Sequence, residues 1–434
     1  MEKKEITEVF EISDEASKEI GKSLKNIAGV KGFLEKQDDT NITGFLEALF
    51  LSALGVDASD IHIESLKGKA KIRLRIDGVL QDVIFINFVL YQKTLSRIKL
   101  LSGLKLNVED RAQDGRFSLL FNKKEKIEIR TSTLPSEEGE SIVMRILNPK
   151  NIIEIEELGL REDLFRIFNE QIKKPFGMIV VTGPTGSGKT TTLYAFLKRI
   201  QNPDIKIITI EDPIEYHLEG ISQTQVEPEK GYTFDSGLRA IMRQDPDVIL
   251  VGEIRDLETS NTAVQASLTG HLVLTTLHTN DASGAVARFV DLGVRPVSLG
   301  PALRMVVAQR LVRKVCQKCS KKRQLTKEEV SSFKKELAGL KLKNIPEISA
   351  KTKISEAGGC DECNLTGYKG RVGVFEVLLI DDDLEKLIFE KAASLEIKKA
   401  AVKKGMVSLY QDGLIKVLEN KTTLDEVNRV ASQR

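Results

Sequence analysis

The sequence predicts an α/β fold built on a parallel central sheet with a phosphate-binding loop. A smaller α+β domain precedes it, and a metal-binding insertion and a helical C-terminal region follow. Three observations carry this. GPTGSGKT, Gly183 to Thr190, lies between an apolar run and a helix-compatible run. Four apolar, β-branched runs of strand length, Met178–Thr182, Ile205–Ile210, Val248–Val251 and Leu272–Leu277, are each spaced far enough apart for a helix between them. Four cysteines stand as two C-x-x-C pairs.

Composition limits the function classes. Of 434 residues, 65 are Lys or Arg and 63 Asp or Glu, a formal net charge of +2. That balance argues against a protein built mainly to coat nucleic acid. No apolar run approaches the roughly 20 residues of a membrane span, and the charged start MEKKEITEVF has no apolar signal core. A cytoplasmic protein is expected, with any membrane attachment made through a partner. Four cysteines in so long a chain are not a disulfide scaffold.

In chain order, residues 1–40 read as a short leader, with one or two helices possible within Ser13–Lys36. Residues 41–150 read as the α+β domain. Its helix spans Thr43–Gly55, Lys71–Ile76 alternates with period two, and Asp77-Gly78 is a hairpin-type turn. Further strands fall within Glu109–Leu120, Lys126–Pro135 and Glu140–Leu147. Arg73, Arg75, Arg97, Arg116, Arg130 and Arg145 lie in this domain. Such arginines are usually surface charges; Arg116, beside a turn, and Arg130, in a strand, are the candidates for a phosphate. Residues 151–174 read as linker and helix, with 148–160 as a candidate hinge. Residues 175–434 form the second domain, including a tetracysteine subdomain at 315–365 and a C-terminal helical part at 366–434.

The loop residues Gly183, Pro184, Thr185, Gly186, Ser187 and Gly188, with Lys189, Thr190 and Thr191, predict an ATP site. Glycines let successive backbone N–H groups turn inward on a phosphate. The helix N-terminus adds its positive dipole end. Lys189 reaches the outer phosphates and the Thr190 hydroxyl holds Mg²⁺.

In a parallel sheet the ligand sits beyond the carboxyl ends of the strands. The other three runs lead into Glu211-Asp212-Pro213-Ile214-Glu215, Gly252-Glu253 and His278-Thr279-Asn280. One acid at a strand end is as often a helix cap or loop carboxylate. Two acids at paired strand ends suit NTP hydrolysis, which needs a metal-shell ligand and a group orienting the attacking water. Glu211 and Glu253 take those roles in an order the sequence leaves open. His278 is placed to sense the outer phosphate. His271 starts its strand and so falls at the far end, where a structural role is as natural. Arg239 and Arg243 are spaced to share a helix face; they are either charges acting across a subunit boundary or salt-bridge partners.

Cys316-x-x-Cys319 and Cys360-x-x-Cys363 predict a structural Zn²⁺ site with no open coordination position. A charged helical stretch, Thr326–Lys343, lies between the pairs. Amphipathic helices are expected over 381–434.

Taken together, ASDIHIE, RLRIDGVL, AQDGRF, RTSTLP, VTGPTGSGKTTTLYAFL, TIEDPIEY, LRAIMRQDPDVILVGEIRD, SLTGHLVLTTLHTNDA, VVAQRLVRKVC and GYKGRVGVFE resemble, in order, the secretion ATPase superfamily that powers type II secretion and type IV pilus assembly. The match covers roughly residues 42–434. The resemblance implies a RecA-like core, a hexameric ring with ATP between subunits, and Arg116 and Arg130 reaching the nucleotide in a closed state. It places Glu211 in an acidic box, Glu253 in a variant Walker B motif, and His271 and His278 in a histidine box. The tetracysteine group favours assembly over retraction. The implied partners are an inner-membrane platform protein and the cytoplasmic domain of another inner-membrane component, with pilin or pseudopilin subunits extruded. Only about 40 residues precede the match, fewer than the family's usual docking domain. A RecA-like nucleic-acid motor and an ATP-binding scaffold without turnover are the alternatives; the absence of tryptophan and of a base-stacking stripe weighs against the first.

Overall fold

A computed structural model of the chain describes residues 8–13, 24–121, 125–340, 342 and 345–432. The chain falls into two compact units. One holds Met1–Asn151 with Cys316–Ser320 and Ala357–Lys369, the other Ile152–Val315, Lys321–Glu356 and Gly370–Arg434.

The first unit is a seven-stranded sheet with helices on one face. Its elements are β1 (Val9–Glu11), α1 (Ile27–Leu34), α2 (Ile42–Gly55), β2 (Asp60–Leu66), β3 (Lys69–Ile76), β4 (Val79–Asn87), α3 (Phe88–Leu101), β5 (Gln113–Phe121), β6 (Glu125–Ser136) and β7 (Gly139–Leu147). The strand order is β1-β5-β6-β7-β2-β3-β4. All pairs but one are antiparallel; β1 runs parallel beside β5. Alternation decides the faces. Ala70, Ile72, Leu74 and Ile76 of β3 are buried, whereas Lys71, Arg73 and Arg75 point the other way. α2 packs on the apolar side, where Phe50 meets Phe10 and Phe117 with ring centroids 5.4 and 5.6 Å apart. The leader region thus contributes to this core through Phe10, Ile12, Leu24, Val30 and Leu34. Asn26 caps α1, its Oδ1 accepting from Gly29 N at 2.7 Å. Residues 14–23 of the expected helical stretch lie outside the described residues.

The second unit begins with α4 (Glu162–Gln171) and contains β8 (Gly177–Thr182), α5 (Lys189–Ile200), β9 (Ile207–Glu211), β10 (Ser222–Gln225), α6 (Phe234–Met242), β11 (Val248–Val251), α7 (Leu257–Leu268), β12 (Leu272–Leu277), α8 (Ala282–Asp291), α9 (Pro296–Ala302) and β13 (Leu303–Val315). The strand order is β10-β9-β11-β12-β8-β13-β16, where β16 is Tyr368–Leu379. The pairs β10·β9, β9·β11, β11·β12, β12·β8 and β8·β13 are all parallel. Every residue of β8, β9, β11 and β12 is buried. Helices cover both faces of such a sheet, which is why its strands read as unbroken apolar runs. β10 and β13 extend it beyond the four strands legible in the sequence.

Between β13 and β16 come β14 (Lys321–Gln324), α10 (Lys327–Glu336) and β15 (Lys353–Glu356), the two strands forming a separate antiparallel pair. α10 lies within the expected Thr326–Lys343 helix, of which residues 341 and 343 are outside the described set. The expected C-terminal helices are α11 (Asp382–Phe389), α12 (Ser394–Lys403), α13 (Leu409–Leu418) and α14 (Leu424–Ala431). α13 is anchored by Asp412, fully buried, which accepts from Arg161 at 2.5 Å, Lys416 at 2.8 Å and Phe375 N at 2.8 Å. Among the described residues no helix is long and apolar enough to cross a membrane.

Candidate functional site

The carboxyl ends of β8, β9, β11 and β12 meet around a cavity of about 180 Å³. It is lined by Lys189, Thr190, Glu211, Asp212, Glu215 and Glu253, with His278 and Thr276 at the β12 end. Residues Gly183–Gly188 form the loop between β8 and α5, and Lys189, Thr190 and Thr191 form the first turn of α5. Gly188 has a φ of 85°, and a Cβ there would stand 2.8 Å from Gln309 Nε2, so only glycine fits. α5 has no side-chain cap. Its first N–H groups are therefore available to an anion, as a phosphate site requires. The Lys189 ammonium donates to the carbonyls of Gly183 at 2.9 Å and Pro184 at 3.2 Å. Burial pushes its pKa down, while Glu253 and Glu215 pull it back up.

The strand ends are stitched together. Thr182 Oγ1 accepts from Thr279 N at 2.8 Å, joining the base of the phosphate loop to the loop carrying His278. Thr276 Oγ1 donates to Gly252 O at 2.8 Å, fixing the turn that carries Glu253. A Cβ on Gly252 would lie 3.2 Å from Glu211 Cα, so this glycine lets the two acid-bearing turns approach.

The two acids differ in environment. Glu253 is partly open and contacts Arg255, with His278 Nε2 3.3 Å from its Oε2. Glu211 is only 3% exposed. Its Oε2 accepts from the Tyr194 hydroxyl at 2.5 Å, and its Oε1 from Thr209 at 2.6 Å and Gln223 Nε2 at 3.2 Å. Burial raises its pKa above the usual carboxylate range, against those three donors.

The remaining expected residues lie elsewhere. His271 precedes β12 at the far end of the strand, its Nδ1 3.0 Å from Ala266 O. Arg239, on α6, pairs with Asp235 at 3.0 Å, and Arg243 Nη1 donates to Arg239 O at 3.0 Å; neither lines the cavity. Arg116 and Arg130 belong to the first unit, directly opposite each other on β5 and β6. The pairing continues Arg130↔Arg145, Arg145↔Asp60 and Asp60↔Arg75. Directly paired residues share a sheet face, so four arginines and one buried aspartate form a row. Asp60 takes Arg145 at 3.0 Å and Arg75 at 3.4 Å.

Further residues complete the site. Glu215, Asp212 and Thr276 line the cavity, and Glu215 was visible in the same EDPIE stretch as Glu211. Gln309 of β13 accepts from Thr192 Oγ1 at 2.7 Å and braces the phosphate loop from behind. Gln309 lies in the VVAQRLVRKVC stretch, but its role depends on β13 lying next to β8.

The four cysteine Sγ atoms lie within 4.8 Å of one another. The separations Cys316–Cys360, Cys319–Cys363 and Cys360–Cys363 are 3.9, 3.7 and 3.7 Å. A tetrahedral ion with bonds of about 2.3 Å sets its sulfur ligands about 3.8 Å apart, so the cluster fits Zn²⁺. Burial works to raise the Cys363 pKa, but the N–H groups of Cys360 and Gly367 donate to its sulfur at 3.3 and 3.2 Å and hold it at about 7. Asn364, beside the second knuckle, accepts from Ile27 N at 2.5 Å.

Comparison with known proteins agrees with this geometry. Residues 35–429 match the family model described as Type II/IV secretion system protein. The chain is 44% identical over 401 residues to the Type II secretion system protein E of Aeromonas hydrophila, covering 92% of this chain and 77% of that one. It is 41% identical over 395 residues to the Type IV pilus assembly ATPase PilB of Pseudomonas aeruginosa, covering 91% and 68%. Among solved structures, the ADP-bound pilus retraction motor PilT superimposes with a TM-score of 0.58 at 28% identity, covering 89% of this chain and 96% of that one. A phosphate loop, two acids and a histidine on the ends of one parallel sheet are thus found in a chain that belongs to the type II/IV secretion system protein family.

Proposed function

We propose that this chain is an ATP-hydrolysing motor that drives extrusion of pilin or pseudopilin subunits in type IV pilus assembly or type II secretion. The observation that carries the reading is the convergence of Lys189, Thr190, Glu211, Glu253 and His278 on one cavity at the carboxyl ends of the sheet. The oxygen donors Thr190 and Glu253 suit a hard cation and would hold Mg²⁺, which neutralises charge on the phosphates. Glu211 is fixed in one orientation by three donors, and burial raises its affinity for a proton. Both properties suit a general base for the attacking water. Lys189 binds the outer phosphates, and His278, within hydrogen-bonding distance of Glu253, is placed to sense the outer phosphate.

The family supports a hexameric ring working at the cytoplasmic face of the inner membrane, through a platform protein and the cytoplasmic domain of a second membrane component. Arg116 and Arg130 would reach the nucleotide on domain closure, Arg239 and Arg243 would act across a subunit boundary, and the cysteine cluster would hold structural Zn²⁺.

The test is steady-state Mg²⁺-ATPase activity across a gel-filtration profile, with Glu253→Gln alongside. Activity confined to a ring-sized peak, and a Glu253→Gln variant that binds ATP but stalls, are the expected results. Activity in the monomer would overturn the shared site, and undiminished turnover by the variant would overturn the motor reading.

A further inference from the structure

Tyr194 lies beyond the phosphate loop, in the TLYAFL run that follows it, yet it reaches the reacting end of the site. It lies on α5, the helix whose first turn carries Lys189 and Thr190. Its side chain is buried, 1% exposed. The hydroxyl donates to Glu211 Oε2 at 2.5 Å. Its ring meets Tyr216, in the segment after β9, edge-on at 6.2 Å.

The other donors to Glu211 come from different places. Thr209 is on β9, two residues before Glu211, and Gln223 is on the neighbouring strand β10. Gln223 is itself locked, donating to Tyr216 O at 3.0 Å and accepting from Leu218 N at 2.7 Å. These two hold Oε1. Tyr194 holds Oε2 and is the donor that belongs to the phosphate-loop helix. A buried phenol hydroxyl needs an acceptor, and here the acceptor is a carboxylate of the cavity.

We propose that Tyr194 is a positioning residue for hydrolysis: its hydroxyl ties the orientation of the Glu211 carboxylate to the helix that grips the phosphates. The inference rests on the reading of Glu211 as the base. The attacking water is aligned by Glu211 only while Oε2 is held, and Oε2 is held from α5. A shift of α5 on phosphate binding therefore carries the carboxylate with it, without a contact between Tyr194 and the nucleotide.

Tyr194→Phe removes only the hydroxyl and keeps the ring packed. Loss of alignment of this kind costs roughly 10- to 100-fold in kcat. The KM for ATP and binding of a fluorescent ATP analogue should stay within about twofold. The pH profile supplies a readout that packing alone would not move. Burial raises the Glu211 pKa, and the hydroxyls of Thr209 and Tyr194 and the Gln223 amide lower it. Deleting one donor raises it further, so the acidic limb of kcat should move to higher pH. Thr209→Val, isosteric and on a different element, should move the limb the same way. Tyr194→Phe with normal kcat and an unmoved limb would overturn the proposal. So would a Thr209→Val limb that moves while that of Tyr194→Phe, shown by analogue binding to be folded, does not. Glu211→Gln separates the two levels: full turnover by that variant overturns Glu211 as base, whereas its inactivity beside a normal Tyr194→Phe overturns only the role of the tyrosine.

Discussion

The two seven-stranded sheets of this chain use the same number of strands to opposite ends. In the second unit the strands β8, β9, β11 and β12 are parallel and wholly buried, so charged groups appear only where the strands stop. Chemistry is forced to one edge, and Lys189, Glu211, Glu253 and His278 share one cavity. In the first unit all but β1 are antiparallel, and one face is open. Polar residues recur at every second position, and charge is spread in rows such as Arg116, Arg130, Arg145, Asp60 and Arg75. A parallel sheet concentrates function at a point; an antiparallel one distributes it over a surface.

The sharpest break of this contrast is Lys189→Ala. Steady-state ATPase assays should show turnover falling at least about 10³-fold. The thermal unfolding midpoint should hardly move, because Lys189 contributes a charge at a helix N-terminus and no core. Phe50→Ala does the reverse. It empties the ring cluster of the first unit, and chemical denaturation should report a loss of about 3–5 kcal/mol. An unchanged stability would mean that the helices on the first sheet are not what hold it.

Glu426 sharpens the comparison through pH. Burial works to raise its pKa, but Arg429 and Arg313 bring it down to about 2. A depressed carboxylate stabilises the fold above its unfolded value of 4.5, and that stability is lost as the pH falls towards 2. Glu426→Gln should therefore cost about 3 kcal/mol at neutral pH and flatten acid unfolding between pH 4.5 and 2. The smallest effect belongs to the open face. Arg145 is 54% exposed, so Arg145→Gln should change the unfolding free energy by less than about 1 kcal/mol. A larger loss would show that the arginine row is structural.

The same contrast explains what the sequence discloses. Buried parallel strands read as apolar runs, so four strands and the acids behind them are legible from residue types alone. β13 is not, because Arg304, Arg310 and Arg313 interrupt its apolar residues without a clear period. β10, with the sequence Ser-Gln-Thr-Gln, carries no strand signal either. Gln309 and Gln223 act from these two strands, so their contacts follow from strand pairing that residue types alone do not show. Tyr194 sits in a plain helix, where an aromatic residue normally signals core. β1 is three residues long, too short to show alternation. Its burial of Phe10 follows from long-range pairing with β5.

The cysteine pairs have a consequence for chain topology. Cys316 and Cys360 are 44 positions apart, yet their sulfurs are 3.9 Å from each other. An ion held by both knuckles would work as a removable cross-link that closes a loop of this size. By analogy with a covalent bridge, closure on this scale is worth on the order of 4 kcal/mol of unfolded-chain entropy. Chelation would release that constraint at a stroke. With an ion bound, metal supply would become a quantity to which the folding of β14, α10 and β15, the segment strung between the knuckles, is geared.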